Sequence, residues 1–205
     1  MCILSIMSDE QKLLQTISHL ETQIRMLESD LIHDSLTGLR TRTFLEEELN
    51  IYLSAIYAAA DSGRREWFGF KNLSMLFFDI DNFKQKNDMY GHEAGDRILR
   101  IIAQTITKNT REGDTVARWG GEEIVAVILG ANEADAKQKA ESIRQKVEAL
   151  AFESFPDLKV TVSVGVAHAS LKMTCEHLVK NADKAMYRAK ETGKNKVVAY
   201  SELGE

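Results

Sequence analysis

The stretch Leu73-Ser74-Met75-Leu76-Phe77-Phe78-Asp79-Ile80-Asp81 decides the fold. Up to Ile80 it is a short, nearly continuous apolar run, as expected of a strand buried on both faces. It ends in two carboxylates at i and i+2, a spacing that places both side chains on one face while the strand persists. Downstream, residues 94–108 read as an amphipathic helix with Ile98, Ile101, Ile102 and Ile106 inward. Residues 115–119 and 124–129 read as two strands around Gly120-Gly121, a strong hairpin signal. A helix at 133–150, a strand at 160–167, a helix at 175–190 ended by Gly193 in the C′-type position, and a last strand at 196–200 follow. The order β-α-β-β-α-β is the split βαβ arrangement. The expected class is α+β, a ferredoxin-like βαββαβ core with an added C-terminal helix and strand.

Upstream, Ile3, Ile6, Leu13, Ile17, Leu20, Ile24, Leu27 and Leu31 recur at alternating spacings of three and four, with Glu10 the one polar break. Ile at a and Leu at d favour a parallel two-stranded coiled coil. The competing reading, a stripe packed on the chain's own body, usually needs a wider apolar face. The expected organisation is a long coiled-coil helix for dimerisation and signalling over 1–33 and a globular domain over 34–205. Asp34-Ser35-Leu36-Thr37-Gly38-Leu39 breaks the first helix. Residues 43–60 form a second helix, with Leu45, Leu49 and Leu53 on one side, and 61–72 a loop.

Of 205 residues, 44% are hydrophobic and 28% charged, which suits a globular chain and argues against disorder. The net charge of −5 argues against a nucleic-acid polymer as partner, for which a basic footprint is expected. A nucleotide needs only a few local lysines. Cys2 and Cys175 lack C-x-x-C spacing and read as buried or terminal thiols of a reducing compartment. No apolar run spans a bilayer, and residues 1–7 lack the length and basic start of a secretory signal. A cytoplasmic location with no membrane in this segment is the expectation.

The split βαβ sheet makes the first strand and the hairpin neighbours, so Asp79 and Asp81 can converge with Glu122 and Glu123. Two carboxylates about 4 Å apart repel by roughly 4 kcal/mol at an effective dielectric near 20. A gathering of three or four needs a cation, and oxygen-only ligands point to Mg²⁺ or Mn²⁺, not zinc. Either pair alone reads more simply as a strand stop or a solvated turn. The strand and the glycine-glycine hairpin together favour the metal site.

Between Asp81 and the helix at 94–108 lies a loop suited to phosphates, with Lys84 well placed. There is no G-x-x-x-x-G-K-[ST], so it is not a P-loop. Asn87 and Asp96 flank this loop. An Asp can accept from guanine N1–H and the 2-amino group while an Asn amide donates to the purine edge. Spacing alone favours turn and helix-cap roles for both. Lys190 and Lys194 flank Gly193, either complementing the helix dipole or anchoring a triphosphate.

Together these residues resemble the GGDEF family of diguanylate cyclases. The resemblance rests on Asp34–Leu39, Phe78-Asp79-Ile80-Asp81-Asn82-Phe83-Lys84, Asn87-Asp88 with Gly91-His92 and Gly95-Asp96, and Arg118-Trp119-Gly120-Gly121-Glu122-Glu123-Ile124. It extends to Ser163-Val164-Gly165-Val166 and to the run from Ala182 to Asn195, and so covers about residues 34–200. It implies a palm-type fold related to adenylyl cyclases and polymerases, and condensation of two GTP to cyclic di-GMP with release of two pyrophosphates. By position, Asp79, the Ile80 carbonyl and Glu122 would bind Mg²⁺ or Mn²⁺, two ions per active site. Glu122 would act as base on the 3′-hydroxyl, supported by Glu123. Asn87 and Asp96 would read guanine. Lys84, Lys190, Lys194 and the backbone at Asn82 and Phe83 would hold the β- and γ-phosphates. Asp34 would pair with Arg118 to fix the entering helix.

Arg111-Glu112-Gly113-Asp114 matches the family's R-x-x-D inhibitory site, where Arg111 and Asp114 would bind the cyclic di-GMP product; otherwise it is a surface turn. Ile124, Lys194 and Thr41 depart from the family's phenylalanine, arginine and asparagine. Lysine loses bidentate phosphate geometry but keeps the charge. Since each domain holds one GTP, ring closure implies a homodimer, which the coiled coil would promote under an upstream sensor. The alternatives are a catalytically silent module that binds GTP or cyclic di-GMP, and a cyclase of mixed dinucleotides, which Asp96 disfavours.

Overall fold

The computed structural model describes residues 2–62, 72–152 and 155–204. Helix α1 (Cys2–Ile32) leads through a turn to strand β1 (Arg40–Thr41) and helix α2 (Arg42–Ser62). There follow β2 (Leu73–Ile80), α3 (Phe83–Tyr90), α4 (His92–Lys108), the hairpin strands β3 (Thr115–Arg118) and β4 (Glu123–Leu129), and α5 (Glu133–Glu148). Strand β5 (Val162–His168), α6 (Cys175–Glu191), β6 (Val197–Ala199) and a 3₁₀ turn (Tyr200–Leu203) complete the described chain. The strands form one mixed sheet in the order β1-β3-β4-β2-β5-β6. β2 is antiparallel to β4 and β5, and β3 to β4, while β1 and β6 add in parallel at the edges. The central four strands have the ferredoxin-like order, and α6 with β6 is the expected C-terminal addition.

Central β2 is buried at all eight positions. Alternation sends Leu76, Phe78 and Ile80 into a core shared with Ile98, Ile102 and Ile106 of α4 and Ile143 and Val147 of α5. Leu73, Met75 and Phe77 enter the opposite core, with Leu45, Leu49 and Leu53 of α2 and Leu178 and Met186 of α6. Each such large side chain contributes about 1.5–3 kcal/mol when fully buried. Helix α6 lies so close to β5 that a Cβ on Gly165 would fall 2.0 Å from the Ala182 carbonyl oxygen and 2.3 Å from the Met186 nitrogen. Glycine is needed for that approach, which sets where the last turn of α6 reaches the sheet.

Residues 83–90, expected within a loop, form α3. The last strand stops at Ala199, and Tyr200 opens the 3₁₀ turn. Along α1, Leu13, Ile17, Leu20, Ile24, Leu27 and Leu31 are exposed, so this part of the stripe is not packed on the chain's own body. The side chains of Cys2, Ile3, Ile6 and Glu10, and residues 63–71 of the expected loop, lie outside the described residues. Among the described residues no helix is long and apolar enough to cross a membrane.

Candidate active site

Asp79 lies next to the end of β2, opposite Glu123 of β4 and Ser163 of β5. Its side chain is buried. Lys190, in the last turn of α6, places Nζ 2.6 Å from Asp79 Oδ2, whereas Asp79 Oδ1 is buried without a hydrogen-bond partner. Burial pushes the Asp79 carboxyl up to about 6; Lys190 opposes this, and the charges of Glu122 and Glu123 add to it. Burial also raises the Glu123 carboxyl, with Asp183 and Glu122 adding and Lys190 and Arg42 opposing. A buried carboxylate with one unpartnered oxygen and two acidic neighbours is short of positive charge.

The hairpin delivers these neighbours. Trp119 N–H donates to Glu123 O at 2.9 Å, closing a tight turn over Gly120-Gly121. Trp119 meets the Phe77 ring edge-on at 6.2 Å and carries the Arg42 guanidinium 4.2 Å above its own ring. β2–β4 pairing thus brings Glu122 and Glu123 to the Asp79 end of the sheet.

Asp81 does not join the acidic cluster as expected. Its N–H donates to Thr161 O at 2.9 Å, one step beyond the strand end. Its carboxylate accepts from Ser163 Oγ and Thr161 Oγ1, each at 2.7 Å, and from Asn195 N–H at 3.0 Å. It ties β2, β5 and the α6–β6 connection together. The expected gathering of three or four carboxylates therefore narrows, and among the described residues no group of three or more His, Cys, Asp or Glu is arranged to hold a metal. The Asp79 carboxylate, with one oxygen orphaned and the Lys190 ammonium at the other, is the kind of hard oxygen donor that suits a hard cation.

Asn82, at φ 56°, turns the chain into α3, so the expected phosphate loop is a helix N-terminus. The N–H groups of a first turn have no partner within the helix and favour anions. Lys84 is exposed in that turn, and the Lys194 ammonium bonds to the Asn82 side-chain oxygen. Sequence reasoning missed Lys86, half-buried on the inner side of α3. Burial holds its ammonium below the usual lysine range, with Asp81 opposing and Lys194 adding to the shift.

Asn87 and Asp96 are not caps. They lie within α3 and α4, and Gly91 precedes α4. Asn87 Oδ1 is buried and unpartnered. It occupies the space a side chain at residue 95 would need, for a Cβ on Gly95 would fall 1.7 Å from it. Gly95 is thus a second site residue whose role sequence reading missed, and its missing side chain leaves the room that the Asn87 amide fills.

Arg118 Nη1 donates to Asp34 Oδ2 at 3.0 Å, and its Nε and Nη2 donate to Gly121 O in the hairpin. Asp34 also accepts from Thr37 N–H at 2.8 Å and Thr37 Oγ1 at 2.6 Å. Burial raises the Asp34 carboxyl, but the Thr37 and Arg118 bonds outweigh it and hold it low. Arg118 therefore links the turn after α1 to the loop bearing Glu122. At the other end of β3, Asp114 accepts from the Arg111 backbone N–H at 2.8 Å and from Leu129 N–H at 3.1 Å. The exposed Arg111 borders a cavity of about 440 Å³ with Gln138, Lys139 and Ser142 of α5.

Comparison with known proteins places this geometry. The family described as diguanylate cyclase, GGDEF domain, matches residues 31–196. The diguanylate cyclase DgcM of Escherichia coli K12 is 36% identical over 193 residues, covering 92% of this chain and 44% of that protein. Diguanylate cyclase A of Treponema denticola is 33% identical, covering 92% of this chain and 50% of its own length. The chain thus spans about half the length of these curated relatives. Among solved structures, the coiled coil and GGDEF domain of DgcB from Caulobacter crescentus, in complex with c-di-GMP, matches with a TM-score of 0.78 at 25% identity, covering 95% of this chain and 99% of that one. The cyclase SiaD of Pseudomonas aeruginosa, in complex with its activator SiaC, matches at 0.72 and 31% identity, covering 93% and 73%. With the family match running from the last residues of α1 to the residue before β6, the chain belongs to the GGDEF family of diguanylate cyclases.

Proposed function

We propose that this chain condenses two GTP molecules into cyclic di-GMP, releasing two pyrophosphates. The observation that carries this reading is Asp79, buried with an unpartnered oxygen, beside Glu122 and close to a helix N-terminus and the Lys190 and Lys194 ammonium groups. Asp79, the Ile80 carbonyl and Glu122 would hold two Mg²⁺ or Mn²⁺ ions, whose chemistry is charge neutralisation at the reacting phosphoryl group and acidification of the 3′-hydroxyl. Glu122 takes the proton of that hydroxyl, and Glu123 supports the hairpin that presents it. Asp96 accepts from guanine N1–H and the 2-amino group, and Asn87 donates to the purine edge. The backbone at Asn82 and Phe83, with Lys84, Lys190 and Lys194, holds the β- and γ-phosphates. Phosphoryl chemistry asks little more of the protein than such positioning and neutralisation.

Ring closure needs two domains face to face. The exposed apolar stripe of α1, with Leu27 at 63% and Leu31 at 71% exposure, supports a parallel coiled coil with a second copy. In this reading 1–33 is the dimerising and signalling helix, 34–205 the catalytic domain, and an upstream sensor acts through the register of the coil. Arg111, at the cavity below α5, and Asp114, which also shapes the turn between them, are the product-binding pair of an inhibitory site.

Incubation with GTP and Mg²⁺, followed by chromatography, tests the reading. Cyclic di-GMP and pyrophosphate are expected. Bound nucleotide without product would leave a silent binding module, and a mixed dinucleotide formed with ATP would overturn the guanine assignment. Glu122→Gln should abolish turnover with an unchanged melting temperature; near-normal turnover would refute its role as base.

A further inference from the structure

Lys194 and Asn195 both sit in left-handed backbone, at φ 63° and 46°. Asparagine visits this region readily, whereas lysine does not. Residues in such conformations persist where their surroundings over-determine them. Here the Lys194 N–H donates to Ala189 O at 3.0 Å in the turn that closes α6, and the remaining restraint acts through Asn195. Its N–H donates to Asp81 Oδ2 at 3.0 Å, its Nδ2 donates to Glu148 Oε1 at 2.8 Å, and its Oδ1 accepts from Arg144 Nη1 at 2.5 Å. Arg144 of α5 is only 9% exposed and is itself held by both Glu141 oxygens and by Glu148 Oε2. The nucleotide chemistry proposed above leaves this buried arginine without a task. Its bond to Asn195 crosses from α5 to the α6–β6 connection, one residue from the lysine that reaches Asn82.

We infer that Asn195, clamped by Arg144 and Glu148, is a positioning residue that fixes the Lys194 ammonium over the N-terminus of α3 for the triphosphate. This rests on the GTP reading above. A lysine is a point charge on a flexible four-carbon stem, so its backbone must supply the precision that its side chain lacks. When the clamp is released, the 193–195 segment relaxes and the ammonium leaves the phosphates. Asn87 and Asp96, on α3 and α4, keep their places, so guanine recognition survives.

The test is calorimetric binding of 3′-deoxy-GTP, which lacks the attacking hydroxyl, and of GMP, to the full chain with Mg²⁺. Asn195→Gly is the primary variant, because glycine adopts φ 46° without strain and removes only the side-chain grip. Its 3′-deoxy-GTP affinity should fall about tenfold, the size of one charge-assisted hydrogen bond at the low end of its range. Its GMP affinity should change by less than about twofold, and KM for GTP should rise with kcat nearly kept. Lys194→Ala should show the same pattern. The double variant should bind no more than about twofold worse than Lys194→Ala alone, since both changes remove one interaction. Additive losses, an equal loss for GMP, or unchanged 3′-deoxy-GTP affinity in Asn195→Gly would overturn the inference. If Asn195→Gly fails to fold, Glu148→Ala at the exposed end of the clamp repeats the cycle under the same criteria. Failure of the unaltered chain to bind 3′-deoxy-GTP at all would instead fell the GTP reading, and the inference with it.

Discussion

Asp79 and Asp81 stand two residues apart at one strand end, and both are buried. Their surroundings differ completely. Asp81 spends its carboxylate on Thr161, Ser163 and Asn195. Asp79 has one lysine and an oxygen with no partner. A buried carboxylate with both oxygens hydrogen-bonded is part of the scaffold, and one with an oxygen left unanswered is held ready for something that arrives later. Asn87, whose Oδ1 is also buried and unpartnered, belongs with Asp79 in this respect.

The sharpest way to break the contrast is to neutralise each carboxylate in turn. Asp79→Asn should lower cyclic di-GMP formation at least about a thousandfold, on the order of 4 kcal/mol of lost transition-state stabilisation. Its melting temperature should hold or rise, because a costly buried charge is gone. Asp81→Asn should instead cost about 2–3 kcal/mol of stability, by breaking a buried, hydrogen-bonded charge, and should lose activity only as the scaffold loosens. Equal melting temperatures for the two variants would erase the distinction.

A pH titration of stability in the metal-free protein sharpens the same point. The folded state binds the Asp79 proton more tightly than the unfolded chain does, with the carboxyl at about 6 rather than 3.8. This contribution to stability is fully present below about pH 4 and is lost as pH rises through about 6, by on the order of 2 kcal/mol once solvent screening is allowed for. Denaturant unfolding between pH 4 and 7 should show this fall in the wild-type chain and not in Asp79→Asn. Saturating Mg²⁺ should flatten it, because a bound cation favours the ionised carboxylate. An identical slope in both proteins would remove Asp79 as its source.

The smallest effect concerns the second orphan. Gly95→Ala would set a Cβ 1.7 Å from Asn87 Oδ1, forcing that amide out of place. GMP affinity should fall about tenfold, or ~1.4 kcal/mol, with the fold retained. Unchanged GMP affinity would mean that Asn87 does not read the base.

Elements with a clear apolar period were legible before any coordinates: β2, the β3–β4 hairpin, α4 and α6 lie within a few residues of where the sequence puts them. Helix α3 was not. Its inner positions are Phe83, Lys86, Asn87 and Tyr90, so two of the four that would mark a helical stripe are polar. Two-residue β1 is too short to show any period. Within the site, the motif residues were visible because acidic, basic and glycine positions recur in a known order. Lys86, the role of Gly95 and the Arg144–Asn195 clamp were not, because their importance lies in what touches them. Arg144 is 51 residues from its asparagine.

The amino-acid sequence by itself determined the family, the alternation of elements and the residue types gathered at the Asp79 end of the sheet. Hydrophobic period and motif order are properties of the chain read along its length. Only the tertiary structure decided which of two adjacent carboxylates is structural and which is left available. Hydrogen-bond satisfaction depends on partners brought together across the fold, and Thr161, Ser163 and Asn195 lie 80 to 114 residues from Asp81.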